Sequence, residues 1–82
     1  MRATTRRVLL AMIGNLEKVR ADIERMHFLE KSDHNNKTNK WQESEAGKRH
    51  LENLSELDQI KGYLEDAINS ADNLTEKTVN TK

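Results

Sequence analysis

LLAMIGNLEKVRADIERM, residues 9–26, decides how the chain folds. Leu9, Met12, Leu16, Val19, Ile23 and Met26 follow one another at 3-4-3-4-3, a spacing that puts all six on one stripe of an α-helix. Read as heptads, Leu9, Leu16 and Ile23 form one column and Met12, Val19 and Met26 the other, until Glu30 breaks the pattern. Upstream, the hydroxyl of Thr4 or Thr5 is placed to accept from the free amides of a first turn. The spacing predicts a helix over about 4–31.

Downstream lies Ser32-Asp33-His34-Asn35-Asn36-Lys37-Thr38-Asn39, whose Asn and Asp side chains compete with helical hydrogen bonds. It predicts a loop over about 32–39. Asn39 with Gln42 three positions on resembles a capping box, and Ser44 is the competing later cap. A second helix follows over about 40–75, because Leu57, Ile60, Leu64, Ala67, Ala71 and Leu74 repeat the 3-4-3-4-3 spacing. Leu51 and Leu54 extend it upstream in threes, which turns the stripe and widens the buried surface near the loop. Residues 76–82 lose apolar content and are expected to fray.

The chain has 82 residues, no cysteine and no proline, so it is one small domain at most. Its mean hydropathy of -0.96 leaves no membrane-spanning segment. Leu, Ile, Val and Phe number 17 of 82, close to the roughly 20% below which chains tend to stay unfolded. A two-helix antiparallel hairpin built from them buries too little to stand alone. The expected architecture is therefore an all-α hairpin that self-associates into a four-helix bundle or higher helical oligomer. Its core is expected to hold Leu9, Met12, Leu16, Val19, Ile23, Met26, Leu57, Ile60, Leu64 and Leu74, with Ile13, Ile68, Tyr63, Phe28 and Leu29 able to join.

The net charge of zero conceals an asymmetry. Residues 1–41 carry nine basic and five acidic groups, and residues 42–82 five basic and nine acidic, so the halves stand at +4 and -4. With position 31 facing about 40, Arg6 and Arg7 fall level with Glu65 and Asp66. Arginines at a helix N-terminus oppose the macrodipole, and those carboxylates would compensate them.

Catalysis finds little footing: no Cys, no Gly-rich loop and no serine on a sharp turn point to a nucleophile, and no cofactor motif is present. The expectation is a protein that is not an enzyme. Glu24-x-x-His27 has the spacing by which helical di-iron proteins present a carboxylate and an imidazole, making this pair the metal candidate. A solvated surface pair is the plainer reading. His27, His34 and His50 all lie toward the loop, where protonation would add positive charge. A nucleic-acid alternative, a hairpin dimer contacting RNA or DNA, rests on Arg2, Arg6, Arg7 and Lys18. The sequence pI of about 6.8 and the acidic neighbours of Lys18 argue against it. Trp41, Tyr63 and Phe28 are the aromatic residues and the candidate anchors of a partner contact. Core filling suits Tyr63 and Phe28 better, whereas Trp41 lies outside the seam.

Trp41-Gln42-Glu43-Ser44-Glu45-Ala46-Gly47, with Leu64-Glu65-Asp66-Ala67-Ile68 further on, resembles small uncharacterised helical-hairpin proteins of phages and prophages, in which a Ser-Glu-x-Gly element opens the second helix. The likeness covers residues 41–68. It implies an accessory or inhibitory protein that binds a host protein. Together with the missing targeting signal and cysteine, it places the expected site of action in the cytoplasm.

Overall fold

The structure is a computed structural model that describes residues 2–80, with side chains to residue 76. Among the described residues there are helices and short connections, and no strand: α1 spans Ala3–Asn35, α2 Asn39–Glu43 and α3 Glu45–Asn80. Helix α1 begins on Arg2, which makes no side-chain cap, so Thr4 and Thr5 lie inside the first turn rather than capping it. At its far end α1 passes the expected stop at 31 and closes at Asn36, whose N–H reaches the carbonyls of Ser32 and Asp33. The polar run that predicts a loop instead stays helical to Asn35, because His34 is buried there.

The second helix is interrupted. Thr38, not Asn39, caps α2, accepting from the Trp41 N–H at 3.2 Å. Gln42 turns back to donate to the carbonyls of His34 and Lys37 rather than closing a box on Asn39. At Ser44 the chain takes an extended conformation, and its hydroxyl both donates to the Trp41 carbonyl and accepts from the Gly47 N–H. Ser44 thus serves as the cap of α3, the later of the two positions expected. Gly47 is required by close approach: a Cβ there would collide with the Trp41 carbonyl oxygen and sit 2.5 Å from that of Gln42. Beyond the expected limit of 75, α3 is helical through Asn80, and residues 81 and 82 of the expected frayed tail lie outside the described residues.

Helices α1 and α3 lie side by side in a shape 62 Å long and 14 Å across. They run in opposite directions, since His50 meets Glu30 and His34 while Lys61 meets Glu24. Buried and half-buried residues mark the contact: Arg6, Leu9, Ile13, Leu16, Arg20, Ile23, His27 and His34 on α1, and Gly47, His50, Leu54, Leu57, Lys61, Leu64, Ile68, Ala71 and Thr75 on α3. On α3 these keep a 3-4 spacing over 47–75, with Gly62 and Glu65 half-buried beside it. Among the described residues only Ile13, Leu54 and Ile68 are buried apolar side chains, so the core is thin.

Register and seam both differ from expectation. His34 faces His50, so Glu65 and Asp66 lie level with about residues 18–19 and not with Arg6 and Arg7. The turn, α2 and the Ser44 break, together residues 36–44, displace the start of α3, which accounts for the shift. Arg6 instead lies along the seam, with its Nε buried and without a hydrogen bond among the described residues. Of the expected core, Leu9, Leu16, Ile23, Leu57 and Leu64 lie half-buried between the helices, whereas Met12, Val19, Met26, Ile60 and Leu74 are exposed.

Candidate interaction surface

The displaced residues share one side of the molecule. Met12, Val19 and Met26 each precede by one the inward column Ile13, Arg20 and His27, and Ile60, Ala67 and Leu74 each precede Lys61, Ile68 and Thr75. The two-fold relation between antiparallel helices runs normal to their common plane, so equivalent positions on the two helices fall on the same side. A groove of about 490 Å³ agrees with the placement, with Met26 from α1 and Asn53 and Ile60 from α3 on its walls. Exposed Val8, Leu29 and Tyr63, each three or four positions from a member of these columns, widen the patch. The result is a side on which most of the large exposed apolar side chains among the described residues gather, with Glu30, Asn53 and Glu56 between them, a concentration of the kind that marks an interaction surface.

The opposite side has another chemistry. Its columns each follow an inward residue by one: Leu10, Glu17, Glu24 and Lys31 on α1, and Leu51, Asp58, Glu65 and Asp72 on α3. A groove lined by Glu24, His27, Asp58 and Lys61 lies there. In those columns five carboxylates stand against Lys31, with exposed Leu10 and Leu51 beside them, and this makes the side acidic.

Polar side chains are threaded through the seam between the two sides. Glu24 takes Lys61 at 3.9 Å and Arg20 at 4.0 Å, so a carboxylate and two cations occupy a central layer. The long stems of Arg20 and Lys61 lie along apolar neighbours while their charged heads reach outward to Glu24. This also describes the metal candidate: Glu24 is engaged by the two cations and His27 is half-buried one turn away. Among the described residues no three His, Cys, Asp or Glu side chains form a group able to hold a metal ion.

At the loop end His34 and His50 stack with ring centroids 5.2 Å apart and their Nδ1 atoms 3.0 Å apart. His50 Nε2 lies 2.9 Å from the Glu30 carboxylate. An ionised carboxylate only accepts, so Nε2 carries the proton there. In the tautomer of His50 that donates from Nε2 to Glu30, its Nδ1 is the acceptor and His34 Nδ1 the donor between the rings. Trp41 stands edge-on to both rings, at 5.4 Å from His34 and 5.9 Å from His50, with the Lys37 ammonium 5.6 Å from its ring. The aromatic residue placed outside the seam is thus packed intramolecularly. Phe28 and Tyr63, assigned to core filling, are each 69% exposed. His34 and His50 come into contact, while His27 lines a groove on the acidic side with His34, Lys31, Leu51 and Asp58.

The basic candidates do not gather. Arg2 and Arg7 are exposed near the N-terminus, Arg6 lies along the seam, and Lys18 is exposed about 16 Å further along the helix at 1.5 Å per residue. Sequence reasoning missed the inward roles of Arg20, Lys61 and Gly47. Their signal was a pair of seven-residue repeats, Arg6-Ile13-Arg20-His27-His34 and Gly47-Leu54-Lys61-Ile68-Thr75, which their polar members disguise as surface columns. Among the described residues no helix is long and apolar enough to cross a membrane. No family model, no curated protein and no solved structure matches the chain.

Proposed function

We propose that the chain is a helical-hairpin module without catalytic activity that works by protein–protein contact and as a homo-oligomer, two hairpins closing their apolar sides on each other as a four-helix bundle. The observation that carries this reading is the one-sidedness of the surface: Met12, Val19, Met26 and Ile60 are all more than 40% exposed on one side, while carboxylates line the other. A helix pair with three buried apolar residues among those described gains stability by covering that side. On the likeness of residues 41–68 to phage and prophage hairpin proteins, any partner beyond a second copy is a host protein, met in the host cytoplasm.

Sedimentation equilibrium at micromolar concentration tests the reading. A dimer or higher oligomer is expected, and a monomer that retains full helicity would remove it. Retention on a polyanion at low salt would move the assignment to the nucleic-acid alternative, because phosphate contacts by Arg2, Arg7 and Lys18 would weaken steeply with salt.

A further inference from the structure

We infer that the second copy docks with its loop end beside the loop end of the first, so that α1 of each copy packs against α3 of the other. This rests on the self-association proposed above and adds its geometry. Two symmetric ways of closing the apolar sides exist, and both leave neighbouring helices antiparallel. With the two-fold axis along the helices, α1 meets the partner's α3. With the axis across them, α1 meets α1 and α3 meets α3.

Charge decides between the two. Residues 1–41 stand at +4 and 42–82 at -4, so the first arrangement sets opposite signs beside each other along the bundle and the second sets like signs together. The register sharpens this. His34 facing His50 and Glu24 near Lys61 fix which residues share a level, the two numbers adding to about 84. At that level Lys18 lies beside Asp66 of the second copy, and Asp33 beside Arg49, on the rim of the apolar side. Between them Val19 meets Tyr63 of the second copy, both exposed in the single chain. In the second arrangement, centred on the same patch, Lys18 meets Lys18 and Asp66 meets Asp66. Like charges so placed disfavour it.

The size fits a stable pair. One 62 by 14 Å side covered on each copy amounts to about 1,700 Å² in total, within the roughly 1,200–2,000 Å² of specific interfaces.

Because the chain has no cysteine, disulfide trapping reads the geometry directly. Val19→Cys and Tyr63→Cys chains are prepared separately, mixed and oxidised. The expected product is a disulfide-linked heterodimer from the mixture, with each variant alone giving at least tenfold less cross-linked product. Efficient cross-linking of Val19→Cys alone overturns the arrangement, and so does a protein that sediments as a dimer yet traps no heterodimer. Both cysteines replace exposed side chains, so the thin core is untouched. As a second measure, Lys18→Glu is expected to weaken dimerisation at low salt and Lys18→Glu with Asp66→Lys to restore it; no restoration counts against the pairing. A monomer in sedimentation refutes self-association itself, an outcome separate from a dimer with the wrong contacts.

Discussion

The two sides of the helix pair are built on the same backbone and flank the same seam, yet one carries Met12, Val19, Met26 and Ile60 and the other Glu17, Glu24, Asp58 and Glu65. Were the chain a finished monomer, both flanks would meet water and neither would need apolar columns three heptads long. The difference argues that the seam between α1 and α3 is not the only contact for which the sequence is written. It also accounts for the presence of Arg6, Arg20, Lys61 and three histidines in the seam: an inner contact of mixed polarity fixes register, while an outer, cleaner column is left for burial elsewhere. Register fixing is a hypothesis with its own test. Exchanging Arg20 and Lys61 for leucine is expected to raise the midpoint of thermal unfolding while broadening the NMR spectrum, and an unchanged, sharp spectrum would count against it.

The largest effect is expected from breaking the apolar side. Met12→Glu with Val19→Glu would place four carboxylates in the proposed interface of a dimer, and desolvating an unpaired charge costs several kcal/mol. Sedimentation should show a monomer at all accessible concentrations, with a thermal midpoint that no longer depends on concentration. The matched change on the acidic side, Glu17→Lys with Glu65→Lys, should leave the dimer intact. Equal sensitivity of both sides would end the distinction between them.

Ile13→Ala attacks the seam instead. Ile13 is 7% exposed between the helices, and truncating a buried isoleucine costs about 2–5 kcal/mol. Its signature differs from that of the outer side: helicity falls at every concentration, because the pair itself is weakened. If only the association constant moved, Ile13 would belong to the interface and not to the seam.

These two variants mark how far the sequence could be read. That both halves are helical followed from spacing alone, since a 3-4 repeat over three heptads has no extended-strand alternative. Which apolar columns face inward did not follow. Each helix offers a shared column, Leu9-Leu16-Ile23 or Leu57-Leu64-Ala71, flanked by two others, and spacing is the same for both choices. The more apolar flank, Met12-Val19-Met26, looks like the seam, while the true partner column contains Arg20 and His27. Only the contact between helices resolves this, because long cationic side chains satisfy an inward position with their stems. The turn escapes a sequence reading for a related reason: Asn and Asp tolerance of turns is a local preference, overridden where His34 packs against His50 and Trp41.

At the loop end the comparison is tested by volume. Gly47 lies on the seam column of α3 against the backbone of α2. Adding a methyl group forces α2 aside, at about 1–3 kcal/mol for an overpacked site. The expected result of Gly47→Ala is faster amide exchange at residues 38–47 with the dimer preserved. Loss of the dimer would mean that the loop end takes part in the apolar interface.

The smallest change asks the sharpest question of the acidic side. A methyl group added at Gly14 or at Gly62 would meet nothing within 4 Å, and with Ala21 and Ser55 these glycines form a run of small residues next to the acidic columns. Small residues in such a run are what a close helix–helix approach would need, so this side offers the one steric argument for docking there. The two readings differ in sign. If water covers the acidic side, Gly14→Ala and Gly62→Ala replace poor helix formers with the best one, adding about 1 kcal/mol each to stability and leaving the association constant unchanged. If a second copy packs there, the same methyl groups hold the helices apart and association weakens although each helix is better formed. Calorimetry and sedimentation on the double variant separate the outcomes. A higher midpoint with an unchanged association constant keeps the acidic side in solvent and the apolar side as the place of contact.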